Sequence, residues 1–270
     1  MSGDPGPPLG QTSLQRRSAA RTAVVWDALR EALEDHGRDH GGDHDRKRDG
    51  DHAASVVDIG GGTGGFAVRV AELGHRVVVV DPSPDALAIL ARRADEAGVA
   101  GLVTGRQGDL AGLPDLLPDL LPAGGADVVL CHGVLEIVED PVAALATLAA
   151  VLRPGGTLSL LVNQRHAAVV ARAMAGHFVA ARSLLDATQP GAGGPNRRFT
   201  ADEVTAVLDG AGFETRSMHA VRVFVDLVPS SLVDLEPGAA QALVDLERAV
   251  ADRPEYLTLG TQVHALALRR

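Results

Sequence analysis

The stretch Ser55-Val-Val-Asp-Ile-Gly-Gly-Gly-Thr-Gly-Gly65 decides how the rest of the chain is read. An apolar run, Ser55–Ile59, carries an acid near its end and passes into glycines. Helical spacing then begins over Phe66–Leu73. The pattern is strand, tight turn, helix. Five of the six residues from Gly60 to Gly65 are glycine. In a mere connector so many glycines would cost conformational entropy for no return. In a binding turn they let a ligand approach the backbone closely, and the helix start beyond them offers free N–H groups.

The unit repeats downstream. Arg76–Val80 reads as a second strand, Pro84–Ala97 as a helix, Leu102–Arg106 as a third strand and Ala126–Cys131 as a fourth. Pro141–Leu152 reads as a helix stopped by Pro154-Gly155-Gly156, and Thr157–Val162 as a fifth strand. Strands alternating with helices predict an α/β fold with a doubly wound, mostly parallel sheet. Fully apolar strands agree, because both faces of such a sheet are covered. Phe213–Val225 and Thr261–Leu268 add two late strands around a helix over Gly238–Ala251. They predict an antiparallel C-terminal hairpin at the edge of a seven-stranded sheet. His166–Leu185 reads as one long helix, Gln189–Asn196 as a Gly/Pro loop, and Thr200–Gly210 as a helix opened by the capping box of Thr200 and Glu203. Leu113–Pro122 reads as a surface loop, since its prolines oppose a regular helix.

At the N-terminus, residues 1–17 are expected to be disordered, being rich in Gly, Pro, Ser and Gln. A helix capped by Ser18 is expected to run to Asp35. Residues 36–52, HGRDHGGDHDRKRDGDH, hold no apolar side chain and predict a flexible, solvated insertion. Its His and Asp are metal-ligand types, but nothing in the run would fix them, so no metal is expected. Residues 18–270 are otherwise expected to form one domain.

Composition narrows the function. Hydrophobic residues make up 46% of the 270, aromatics only 3%, and the formal net charge is -10. A single Cys excludes an internal disulfide framework and a Cys-based zinc cluster. No signal peptide or membrane helix is legible, so a cytoplasmic location is expected. The acidic balance opposes nucleic-acid binding through the overall field, but not through a local basic patch.

Two ligand classes fit the turn. Gly60-x-Gly62-x-x-Gly65 satisfies the dinucleotide pattern of NAD-dependent oxidoreductases. Asp58-x-Gly60-x-Gly62-x-Gly64 satisfies an acid-then-glycine pattern suited to a ligand with an ammonium group, such as S-adenosylmethionine. Asp58 favours the second, since it would repel a pyrophosphate. In either case Asp81, closing the second strand, can accept hydrogen bonds from ribose hydroxyls. Gly108-Asp109 follows the third strand, where either an adenine contact or a plain turn cap fits.

Asp58 to Gly64 resembles motif I of the class I S-adenosylmethionine-dependent methyltransferases. More narrowly, several stretches resemble the bacterial tRNA 5-carboxymethoxyuridine methyltransferases. They are Arg21-Thr-Ala-Val-Val-Trp26, Cys131-His-Gly-Val-Leu-Glu-Ile-Val-Glu-Asp-Pro141, Val151-Leu-Arg-Pro-Gly-Gly-Thr-Leu-Ser-Leu160, Met174-Ala-Gly-His-Phe178, Val221-Arg-Val-Phe224 and Pro254-Glu-Tyr-Leu-Thr-Leu-Gly260 with His264. The resemblance implies cofactor contacts at Arg21, at the Gly60-Gly61-Gly62 turn, at Asp81, at Gly108-Asp109 and at His132. It also implies a tRNA acceptor whose carboxylate is already ionised, needing a cation and no base. Arg197, Arg198 and Arg222 are the acceptor-binding candidates. Three departures are plain: Gln189–Arg198 is poorly basic, the chain holds one Trp and one Tyr, and the His/Asp-rich insertion at 36–52 is foreign to the family pattern. A small-molecule O- or N-methyltransferase therefore stands beside the tRNA reading, and an NAD-dependent oxidoreductase stands behind both.

Overall fold

The computed structural model describes residues 13–39, 53–185, 197–233 and 238–270. In chain order its elements are α1 (Ser13–Asp39), β1 (Ser55–Ile59), α2 (Ala67–Glu72), β2 (Arg76–Asp81), α3 (Pro84–Glu96), β3 (Val103–Gln107), α4 (Leu113–Leu116), β4 (Ala126–His132) and α5 (Pro141–Val151). Then come β5 (Leu152–Asn163), α6 (Arg165–Met174), α7 (Phe178–Leu185), α8 (Ala201–Gly210), β6 (Phe213–Val221), α9 (Ser230–Val233), α10 (Ala239–Ala251), α11 (Pro254–Leu257) and β7 (Gln262–Arg269).

Among the described residues seven strands form one sheet in the order β3-β2-β1-β4-β5-β7-β6. The four pairings that join β3, β2, β1, β4 and β5 are parallel, and β7 lies antiparallel between β5 and β6. Neighbouring residues of the apolar strands serve opposite faces. Val57, Ile59 and Val129 pack with Leu113, Leu145, Leu148, Val204 and Leu208 from α4, α5 and α8. Val56, Val77, Val79 and Leu130 pack with Leu29, Leu33, Val70 and Leu90 from α1, α2 and α3. Two covered faces are what a doubly wound sheet requires, so the expected fold class stands.

The element bounds differ from expectation in five places, each with a local cause. α1 starts at Ser13 and not at Ser18, so Ser18 lies inside the helix. Leu, Gln, Arg and Ala over residues 14–20 all favour helix. The expectation of disorder over 1–12 lies outside the described residues. At its far end α1 keeps His36, whose ring meets Arg153 at 2.9 Å and Asp127 at 3.4 Å. The expected insertion thus loses 36–39 to α1, and 40–52 lie outside the described residues, as does the loop expected at 189–196. Leu113–Pro122 is no mere surface loop. Its Pro114 stands in the first turn of α4, where no donor is needed, and Leu113 and Leu117 are buried. The helix expected over 166–185 is two, parted at Gly176 with φ +78°. β5 begins at Leu152, directly after α5, five residues before the strand start expected at Thr157.

The fifth difference shapes the site. The strand expected to Val225 ends at Val221, and Arg222 turns the chain at φ +61°. The next three N–H groups, of Val223, Phe224 and Val225, all donate to the buried carboxylate of Glu247 on α10, at 2.9, 2.8 and 2.7 Å. That carboxylate replaces the ladder partners a strand would have used.

Candidate functional site

The strand order reverses between β1 and β4, and the crevice at the carboxyl ends of these strands is where α/β sheets bind ligands. β1 brings Asp58 to this edge and the glycine turn follows. The Gly60 N–H donates to the Val80 carbonyl at 2.8 Å, tying the turn to β2. Gly60 and Gly62 have φ of +68° and +55°, open to glycine at little cost. A Cβ on Gly60 would stand 2.6 Å from Val134 Cγ2, and one on Gly61 would strike the Asp58 carboxylate. The glycines thus keep the backbone bare beside a buried acid.

Asp58 is 3% exposed, and no hydrogen bond or cation among the described residues reaches it. Burial, and secondarily the Asp81 carboxylate, push its pKa up to about 7. Asp81 itself is rigidly held. Its Oδ2 accepts from the Gly62 N–H at 3.0 Å and its Oδ1 from the Ser83 N–H at 2.8 Å. Each oxygen keeps a free lone pair. Gly108 donates its N–H to the Asp81 carbonyl at 3.2 Å, and a side chain there would run into Leu116. Asp109 caps the following turn, its Oδ1 accepting from the Gly112 N–H at 3.1 Å. A cavity of about 430 Å³ opens between Gly60, Gly108 and Asp109 and the loop after β4, lined also by Val80, Val134 and Ile137, with Asp58 and Asp81 just outside its lining. The structure therefore gathers Asp58, Gly60–Gly62, Asp81, Gly108 and Asp109 at one edge.

His132 ends β4 beside them. Its Nε2 lies 2.9 Å from Ser159 Oγ, and its ring meets Phe66 edge-on at 4.9 Å. Burial lowers its pKa to about 4, and its buried Nδ1 has no partner.

The arginines divide. Arg21 pairs with Asp226 at 3.0 Å, and Arg222 pairs with the same carboxylate at 2.6 Å. Arg197 is buried, with its guanidinium donating to the Val138 and Glu139 carbonyls at 3.1 and 3.2 Å. It straps the loop after β4, so its reading as an acceptor-binding cation gives way to a structural one. The Arg198 guanidinium makes no hydrogen bond or close ion pair among the described residues, although the Glu136 carboxyl acts on it, and neither does the guanidinium of Arg172 on α6. Both line a second cavity of about 320 Å³ with Val223, Phe224 and Thr261. Burial and the Arg172 charge hold the Arg198 pKa below its ordinary value.

Sequence reasoning missed Arg172, Glu136, Ser159, His219 and Glu247. Glu136 is buried after β4, accepts from the Asn163 N–H at 2.7 Å and keeps Oε2 unpartnered. Burial raises its pKa. For two of these a signal existed. Glu247 stands on the apolar stripe Leu243, Val244, Val250, and Ser159 interrupts the all-apolar core of β5. A polar side chain at a buried position needs a partner.

The family model of a methyltransferase domain matches residues 57–160, which hold the glycine turn, Asp81, Asp109, His132 and Ser159. This chain is an S-adenosylmethionine-dependent methyltransferase. It is 29% identical to the tRNA 5-carboxymethoxyuridine methyltransferase of Escherichia coli (strain K12) over 92% of this chain and 87% of that protein. It is 34% identical to a ubiquinone biosynthesis O-methyltransferase of Xanthomonas axonopodis pv. citri, over 50% of this chain and 54% of that one. The methyltransferase shares its fold with an S-adenosylmethionine-dependent methyltransferase from Mesorhizobium loti. That structure has a TM-score of 0.53 at 21% identity, covering 93% of this chain and all of the other. Magnesium protoporphyrin IX methyltransferase from Synechocystis gives a TM-score of 0.55 at 16% identity, over 99% and 90% of the two chains. The cradle fits the cofactor: a buried, partnerless carboxylate at Asp58 suits an ammonium group, and the glycines leave it accessible. The NAD-dependent oxidoreductase reading lapses. Among the described residues no helix is long and apolar enough to cross a membrane.

Proposed function

We propose that the methyltransferase converts a carboxylate to its methyl ester, the acceptor being a carboxymethoxyuridine in tRNA. The observation that carries this reading is the pair Arg172 and Arg198, two guanidiniums with no hydrogen-bonded partner beside one cavity. There the Asp226 carboxylate is already held by Arg21 and Arg222, and the Glu136 carboxyl is the other acid that acts on Arg198. Two converging cations suit an anion, and a guanidinium can fork onto a carboxylate. The relative named for carboxymethoxyuridine matches nearly the whole chain, whereas the ubiquinone relative matches half of it. An aromatic for a base is also at hand. Trp26 is engaged under Arg69 and Tyr256 against Phe224, but Phe178, at the start of α7, is 70% exposed. An exposed ring can stack on an unpaired base.

Bound S-adenosylmethionine supplies an electrophilic methyl group on a sulfonium. On this reading Asp58 and the Gly60–Gly62 backbone face its amino-acid end, with His132 and Arg21 beside them. Asp81 takes the ribose hydroxyls, and Gly108-Asp109 border the adenine. Arg21 would then share itself between Asp226 and the cofactor carboxylate. Arg198 and Arg172 hold the acceptor carboxylate, with Asp226 at the cavity wall and Arg222 paired to it. Positioning of this kind can lower a barrier by about 7–11 kcal/mol. An acceptor carboxylate would already be ionised at neutral pH, so no proton would have to move. Hence no general base is assigned. The reading places the enzyme in the cytoplasm, with its tRNA.

The test is transfer of labelled methyl from S-adenosylmethionine to tRNA from cells carrying carboxymethoxyuridine, followed by mild alkali. A base-labile methyl on that tRNA is expected. Replacing Arg172 or Arg198 by Ala should raise KM for tRNA about tenfold or more and leave the Kd for S-adenosylmethionine unchanged. The formal charge of -10 favours a second reading, a small-molecule acceptor. Methylation of small carboxylates or phenols, with no label on any tRNA, would establish it instead.

A further inference from the structure

Behind the candidate cofactor edge, polar side chains run in a line across the sheet. His132 Nε2 lies 2.9 Å from Ser159 Oγ, and Ser159 Oγ lies 2.8 Å from His264 Nε2. His264 Nδ1 lies 3.2 Å from His219 Nδ1, and His219 Nε2 lies 3.3 Å from Asp252 Oδ1. Register places them together: His219 pairs directly with His264, and Ser159 stands two residues from the partners of His264 and His132. The line thus spans β4, β5, β7 and β6 on one face. Its inner end is the orphaned Nδ1 of His132, and its outer end is an exposed carboxylate. That outer end opens into a groove of about 420 Å³ between α1 and α10, lined by Ala28, Glu31, His219 and Asp252.

Counting hydrogens gives the line a direction. Burial lowers the pKa of all three imidazoles, so each is neutral and carries one N–H. Ser159 adds one O–H. Four hydrogens serve three hydrogen bonds and the charge contact at Asp252, so none is spare. A carboxylate 3.3 Å away repels a bare nitrogen lone pair and attracts an N–H, so His219 carries its hydrogen on Nε2. Its Nδ1 then accepts, which puts the His264 hydrogen on Nδ1. His264 Nε2 accepts from the Ser159 hydroxyl, and Ser159 Oγ accepts from His132 Nε2–H. Reversed, the line would face two acceptors at Asp252 and present Nδ1–H at His132.

We propose that Ser159, His264, His219 and Asp252 are positioning residues that lock His132 as its Nε2–H tautomer and turn its bare Nδ1 toward an N–H donor of the bound cofactor. The chemistry that fits a bare imidazole nitrogen near Asp58 is an ammonium group. The tautomer follows from the line alone; its use in binding rests on the proposed cofactor edge.

The test uses the full chain labelled with ¹⁵N-histidine and free of cofactor, with tautomers read from two-bond ¹H–¹⁵N correlations and His132 assigned by a His132→Asn variant. The wild type should show His132 protonated on Nε2 and bare on Nδ1. Asp252→Ala, at a surface position where folding is not at risk, should give a mixture of both His132 tautomers. Ser159→Ala should do the same and weaken S-adenosylmethionine binding about tenfold. A protonated Nδ1 in the wild type overturns the proposal, and so does an unchanged His132 spectrum in Asp252→Ala. A changed tautomer with unchanged affinity in Ser159→Ala overturns the positioning role. Should the wild type bind no S-adenosylmethionine at all, the cofactor edge itself fails, a result the cofactor-free spectra cannot produce.

Discussion

Asp58 is a buried carboxylate without a counterion, and that makes the cofactor-free protein sensitive to pH. Its folded pKa of about 7 lies above the ordinary 3.8. The folded state therefore holds this proton more tightly than the unfolded state does. The associated stability is fully present below about pH 4 and is lost as pH rises through 7. A rise from 3.8 to about 7 corresponds to at most roughly 4 kcal/mol. Asp58→Asn should therefore match the wild type in urea unfolding near pH 4 and exceed it by a few kcal/mol at pH 8. The buried histidines shift the opposite way but are common to both proteins, so they cancel in the difference. Equal stability at both pH values would show that Asp58 is solvated. A cofactor ammonium should also drive the proton off, so binding between pH 4 and 7 should release protons, detectable by calorimetry in buffers of different ionisation enthalpy. The placing of Asp58 and Asp81 at the sheet edge was legible in the sequence because it is local: each sits at a strand end beside the glycine turn. His132 was legible only through resemblance, because its partners Ser159 and His264 lie 27 and 132 residues further along the chain.

At the scale of elements, the loop after β6 depends on one side chain. Glu247 satisfies three backbone N–H groups from inside the core, and the loop it holds carries Arg222 and Asp226. Glu247→Gln keeps the shape but turns an amide N–H₂ toward donors. Leaving buried donors unpaired costs roughly 1–3 kcal/mol each, so a loss of about 3 kcal/mol in chemical denaturation is expected. A change under 0.5 kcal/mol would mean that the loop finds other partners. The alternation of strand and helix was readable from period and punctuation, and so was the Thr200–Glu203 capping box, which the structure contains. What escaped was decided by tertiary contacts. Nothing near Val221 announces that β6 stops there, because the carboxylate that ends it comes from α10. The split at Gly176 was readable in principle, since a glycine inside a helical run is a stop signal.

Across the whole molecule, an acidic protein that binds tRNA must do so through a small patch. With Arg172 and Arg198 as the cations, both on the acceptor carboxylate, at most an occasional phosphate is neutralised. Single strands release about 0.7 counterion per phosphate contact. The log–log salt slope of tRNA binding should then be shallow, on the order of -0.7, measurable by fluorescence anisotropy between 50 and 200 mM salt. A slope near -6 would require a basic surface beyond this cavity. The overall fold was the most legible level of all, because a doubly wound sheet announces itself in apolar strands at regular intervals. The proposed acceptor site was the least legible, because Arg172 and Arg198 come to one cavity only through the packing of α6 beside the chain that leads into α8.

The central claim, a cofactor edge built on the glycine turn with Asp81 as its ribose anchor, is tested most directly by calorimetric titration of wild type and Asp81→Ala with S-adenosylmethionine and with NAD. Hydrogen bonds to a charged acceptor contribute about 1.5–3 kcal/mol each. Two of them lost should weaken S-adenosylmethionine binding by about a hundredfold or more, while NAD binds to neither protein. An unchanged Kd in Asp81→Ala, or tight NAD binding by the wild type, would contradict it.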